Sequence, residues 1–118
     1  MIHHVQLACP AGSEEALRTF YVGVLGLSEK PKPPALARRG GCWFTGYGIE
    51  LHLGVEPEFR PARKAHPGLL RPDLDGLAER LTAAGYAVRW GNDELPGMRR
   101  FHTEDVHGNR LEFLAPID

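Results

Sequence analysis

Glu104-Asp105-Val106-His107-Gly108-Asn109-Arg110-Leu111-Glu112-Phe113-Leu114 reads as a turn feeding directly into a strand. Gly108 and Asn109 are turn residues because both tolerate positive φ at little cost. Beyond them the side chains alternate, Leu111 and Phe113 on one face, Arg110 and Glu112 on the other. A carboxylate inside an apolar strand is costly to bury unless something neutralises it. Two partners suit Glu112: a metal ion, or a nearby arginine.

Working outward, a similar unit lies upstream. Ile49-Glu50-Leu51-His52-Leu53 is a strand entered from the glycine-rich Thr45-Gly46-Tyr47-Gly48. Gly48 stands four positions before His52, as Gly108 does before Glu112. Each of these strands closes a segment with the same order of elements. In the first, His4 to Ala8 is a strand. Ser13 is placed to cap a helix carrying Ala16, Leu17, Phe20, Tyr21 and Val24, which Gly26 stops. Pro31, Pro33 and Pro34 argue against regular structure, and Cys42-Trp43-Phe44 is a further strand. In the second, His66 precedes a short strand from Gly68 to Arg71. Asp73 or Asp75 caps a helix with Leu74, Leu77, Ala78, Leu81 and Ala84 inward. Tyr86 to Trp90 and Arg99 to Thr103 are strands, with a loop from Asn92 to Gly97. Glu56 to Lys64 is polar and proline-containing, a boundary between halves. Neither half buries an apolar face alone, so the repeat implies two modules that form one domain: residues 1–55, a linker over 56–65, and 66–118.

Composition excludes several functions. The chain has 118 residues, 42% hydrophobic, with 14 basic and 15 acidic residues and a formal charge of -1. That balance gives no electrostatic case for nucleic acid or an anionic membrane. No apolar run approaches the ~20 residues that span a bilayer. Met1 to Val5 lacks the basic-then-apolar pattern of a signal peptide. Cys9 and Cys42 suit neither a disulfide framework nor a zinc motif, and read as buried thiols in a reducing cytoplasm.

Four segments in order carry a resemblance to the vicinal oxygen chelate superfamily. These are His4-Val5-Gln6-Leu7, Phe20 to Leu27, His66 ahead of Gly85, and Asp105-Val106-His107-Gly108-Asn109-Arg110-Leu111-Glu112. The superfamily holds glyoxalase I, bleomycin-resistance proteins, fosfomycin-resistance enzymes and extradiol dioxygenases. Its usual Asp-Pro before the last turn is here Asp105-Val106. The resemblance implies an α+β fold of two βαβββ modules forming a cupped mixed sheet, with helices outside and a divalent metal within. It implies His4, His66 and Glu112 as metal ligands. The fourth ligand is Glu50 when aligned on Ile49-Glu50-Leu51, or His52 when aligned by the internal repeat. The uncoordinated member of that pair, or His102, is then the candidate catalytic base.

Imidazoles with a carboxylate suit zinc, nickel, cobalt, manganese or ferrous iron. The implied function is a divalent-metal-dependent lyase or isomerase acting on a small substrate with vicinal oxygens, in a cytoplasmic homodimer. The alternatives are a metal-free protein that sequesters a drug or toxin, and fosfomycin-type thiol transfer, which needs only His4, His66 and Glu112. The remaining histidines and tryptophans read otherwise: His3 points away from His4, His107 is solvated at its turn, and Trp43 and Trp90 belong to the core.

Overall fold

The structure is a computed structural model that describes residues 1–91 and 93–117. It divides into two compact units, Met1–Pro61 and Ala62–Asp118. Asn92, the expected start of a loop, and Asp118, the last residue of the expected second module, lie outside the described residues.

The first unit is a four-stranded mixed sheet. Strand β1 is Val5–Cys9, β2 Ser28–Lys30, β3 Cys42–Gly46 and β4 Ile49–Val55, arranged β1-β4-β3-β2. β1 runs parallel to β4, which pairs antiparallel with β3. Register decides which residues share a face. Leu51 pairs with Val5 and Phe44, and Leu51 and Phe44 are fully buried. His52 pairs with Gln6 and Trp43, so these three share the opposite face.

Helix α1, Glu14–Arg18, continues through a wider π turn over Thr19–Val24. In that turn the Leu25 amide reaches back to the Phe20 carbonyl at 2.9 Å, five residues away. The wider turn brings Phe20, Tyr21 and Leu25 into the core together. Ser13 does not cap this helix, because its hydroxyl donates instead to the Pro10 carbonyl at 2.7 Å. The proline-rich stretch is more ordered than its composition suggests. Pro34 opens a one-turn helix α2, Pro34–Ala37, since proline lacks the amide hydrogen that a first helical position leaves unused.

The second unit repeats the plan. β5 is Gly68–Leu70, α3 Leu74–Ala83, β6 Arg89–Trp90, β7 Met98–Glu104 and β8 Arg110–Pro116, with sheet order β5-β8-β7-β6. β5 is parallel to β8, and β7 is antiparallel to it. Phe113 pairs with Leu69 and Phe101, which are buried with it. On the other face Glu112 pairs with Gly68 and His102.

The expected strand from Tyr86 shrinks to Arg89–Trp90, because the Tyr86 amide closes the end of α3 on the Leu81 carbonyl at 2.9 Å. Asp73 stands at the N-cap of α3 without capping it. Its carboxylate instead binds the Nε of buried Arg71 at 2.8 Å and Arg80 at 3.0 Å. Trp90 is not core: it is exposed on the edge strand. Cys9 and Cys42 are buried thiols outside any disulfide, and burial pushes the Cys42 thiol up to about 11. Among the described residues no helix is long and apolar enough to cross a membrane.

Candidate functional site

The turn before β8 fixes where Glu112 stands. The buried Asp105 carboxylate accepts the amides of His107 and Asn109, each at 2.9 Å, and the Asn109 side-chain amide at 3.0 Å. Asn109 Oδ1 in turn accepts the Ala62 amide at 3.2 Å, and the Arg110 amide donates to the Ala62 carbonyl at 2.9 Å. Gly108 takes a φ of 93°, whereas Asn109 keeps a negative φ and owes its place to Asp105. The loop is therefore clamped at both ends, and the strand it feeds is set in register. His107 is half-buried in this loop rather than solvated.

Glu112 is buried on the polar face of β8 and gathers three cations or potential cations. His66 Nε2 lies 2.8 Å from Glu112 Oε1, and His102 Nε2 lies 3.4 Å from the same oxygen. Arg100 donates to Oε2 at 3.0 Å. Burial pushes the Glu112 carboxyl up, but bonds from His66 and then Arg100 outweigh it and hold the group below its ordinary range. Burial disfavours the charged form of His102 and lowers it, against the pull of Glu112.

His66 carries the most telling geometry. Its Nδ1 donates to the Lys64 carbonyl at 2.7 Å, while its Nε2 faces a carboxylate. Both ring nitrogens thus face acceptors. Such a ring satisfies both bonds only with two protons, or with a cation in place of the second.

One ligand atom each from His66, His102 and Glu112 lies within 4.8 Å of the others. Two imidazoles and a carboxylate match the donor chemistry of zinc and of ferrous-iron sites that keep open positions. The donor set fits a divalent ion. His66 and Glu112, the expected ligands of this half, come together, and His102, expected as a base, joins them as a potential donor.

The expected residues of the first unit form a different group. His52 is buried between two rings: His4 at 4.0 Å and 15° on one side, Trp43 at 4.0 Å and 8° on the other. Trp43 is therefore half-buried as a stacking partner. His52 Nε2 binds Glu50 Oε2 at 2.7 Å, and Lys30 donates to Glu50 Oε1 at 3.0 Å. Those two contacts, His52 first, hold the Glu50 carboxyl at about 2. A carboxylate so stabilised is a weak base near neutral pH. Burial likewise lowers His52. His3 does not point away from His4. The two precede β1, where strand alternation does not apply, and their Nδ1 atoms lie 2.9 Å apart.

Sequence reading missed the stacking of Trp43 on His52, and it offered Glu112 a nearby arginine without identifying Arg100. That choice had a signal, because Arg100 and His102 are two apart on one strand and share its face.

Two βαβββ sheets, with a histidine and carboxylate cluster on the polar face of the second, define a protein of the vicinal oxygen chelate class. No family model matches the sequence, and no curated protein matches it. Solved structures do. A protein of Bacillus anthracis assigned to the glyoxalase family is 41% identical, with a TM-score of 0.94 over 99% of this chain and 95% of that one. The chain belongs to the glyoxalase family. More distant likenesses share the fold. A fosfomycin resistance protein of Listeria monocytogenes is 13% identical, with a TM-score of 0.75 over 99% of this chain and 91% of that one. TnmS3, an antibiotic binding protein from Streptomyces, is 23% identical, with a TM-score of 0.70 over 99% of this chain and 98% of that one.

Proposed function

We propose that the chain is a divalent-metal-dependent enzyme acting on a small substrate with vicinal oxygens, in lyase or isomerase chemistry. The observation that carries this is His66, with acceptors at both ring nitrogens and Glu112 and His102 beside its Nε2. A bound divalent cation supplies Lewis acidity toward paired oxygens and stabilises negative charge developing on them. The chain does the rest. The Lys64 carbonyl fixes the tautomer and aim of His66. Arg100 keeps Glu112 ionised and turns its Oε1 toward the histidines. Burial disfavours the charged form of His102, which favours the lone pair that a metal would need.

The resemblance adds His4 and either His52 or Glu50 to the donor set. The same measurement on His4→Ala and His52→Ala shows whether they contribute. The proposal includes a homodimer, which sedimentation tests.

The test is metal content after purification without chelator. The wild type retains about one divalent ion per chain, and Glu112→Ala retains none. A screen of methylglyoxal–glutathione hemithioacetal, fosfomycin and catechols then separates the substrate classes.

A second reading has its own observation. Arg100 pairs with Glu112 at 3.0 Å and His66 is hydrogen-bonded beside it, partners that a sequestering protein would also give this carboxylate. Stoichiometric drug binding by metal-free protein, unchanged in Glu112→Ala, favours that reading.

A further inference from the structure

We propose that the first unit carries a binding site for a small organic carboxylate, in the cavity framed by Gln6, Lys32, Arg39 and Trp43. The cavity has a volume of about 280 Å³, just below the size range of drug-sized pockets. It is built wholly from this unit. Gln6 of β1 and Trp43 of β3 come from the polar face of the sheet, Val55 from the end of β4, and Lys32, Leu36 and Arg39 from the excursion that carries α2.

Its chemistry has a direction. Among the described residues no acidic side chain lines it, while two cations do. The Lys32 ammonium is committed to the Gly40 carbonyl. The Arg39 guanidinium has no hydrogen-bond or ion-pair partner among the described residues, and its two-pronged donor geometry matches a carboxylate. Glu14, whose carboxylate stands beside Gly40, has its Oε2 on the Gly41 amide at 2.8 Å. Leu36, Val55 and Trp43 supply an apolar wall. Cationic groups at one side and an apolar wall at another fit an amphiphilic anion, with its body on Trp43 and its charge at Arg39.

Gly54 shows how the floor is made. A Cβ there would stand 2.6 Å from the Gln6 side-chain nitrogen, so the missing side chain is what lets the Gln6 amide lie over the strand. An amide donor is thereby held beside the cavity.

The site does not rest on the metal reading, and its test keeps the two apart. In a Trp90→Phe background Trp43 is the remaining tryptophan, and its fluorescence is titrated with benzoate, benzamide and acetate. Benzoate gives saturable quenching. Benzamide, which lacks the charge, and acetate, which lacks the body, each bind about tenfold more weakly or worse, the factor that one lost charged hydrogen bond brings. Arg39→Gln, an exposed position, weakens benzoate about tenfold and leaves metal content unchanged. Gly54→Ala, which displaces the Gln6 amide, weakens benzoate too. Equal binding of benzoate and benzamide, indifference to Arg39→Gln, or no saturable quenching by benzoate would each overturn the proposal. Metal content in the same samples reports separately on Glu112.

Discussion

The two units share a ladder and differ in what stands on it. Overlaying the registers makes His52 the counterpart of Glu112, Gln6 of Gly68 and Trp43 of His102. Two residues before Gln6 and Gly68 come His4 and His66, also counterparts. On the buried faces the last strands agree, Leu51 and Leu53 in one unit and Leu111 and Phe113 in the other. On the polar faces they do not. The second unit has a carboxylate among two imidazoles and a guanidinium, and the first has an imidazole pressed between two rings.

The glycines show the same divergence at one contact. In the first unit Gln6 lies over Gly54. At the counterpart position the roles reverse, and a Leu114 methyl lies 3.3 Å from where a Cβ of Gly68 would stand. One register thus holds a polar side chain in one unit and an apolar one in the other. The shared face fixes the fold, and the divergent face is free to carry chemistry.

The buried faces give the largest stability effect. Phe113→Ala is expected to cost about 3–5 kcal/mol, and Leu53→Ala about 2–5 kcal/mol, in chemical denaturation. Similar losses support two equally built cores, whereas a much smaller loss in one unit would break the comparison. Acid comes next. Asp73 is held at about 2 by Arg71 first, against an ordinary 3.8. A folded value below the unfolded one stabilises the protein above about pH 4, and that gain is lost as pH falls through 2. Thermal midpoints should therefore fall across that window, with a shallower fall in Asp73→Asn. The smallest effect belongs to the stack. Trp43→Leu is expected to cost about 0.5–1.5 kcal/mol beyond lost burial, because it removes one ring from His52 while leaving β3 intact. No cost at all would mean that the stack is incidental.

Much of this was legible in the chain. The alternation Arg110-Leu111-Glu112-Phe113 gave the inward carboxylate, and the spacing from Gly48 and Gly108 aligned His52 with Glu112 correctly. What escaped were features decided by partners distant in sequence. Ser13 and Asp73 stand where caps belong, but Pro10, Arg71 and Arg80 claim their oxygens. Tyr86-Ala87-Val88 has strand composition, yet the end of α3 takes the Tyr86 amide. His102 could be placed on a face by alternation, but its distance to Glu112 depends on cross-strand register, which no local pattern encodes. The stacking of Trp43 on His52 has the same origin.

The central claim is that the polar face of the second unit is a metal centre, and the ring nitrogens of His66 test it most directly. Long-range proton–nitrogen correlation spectra during a zinc titration report each nitrogen separately. The account predicts that at saturation His66 Nδ1 carries its proton on the Lys64 carbonyl, while Nε2 takes the shift of a metal-bound nitrogen, with His102 Nε2 following. A His66 Nε2 whose signal does not move at saturating zinc would contradict it.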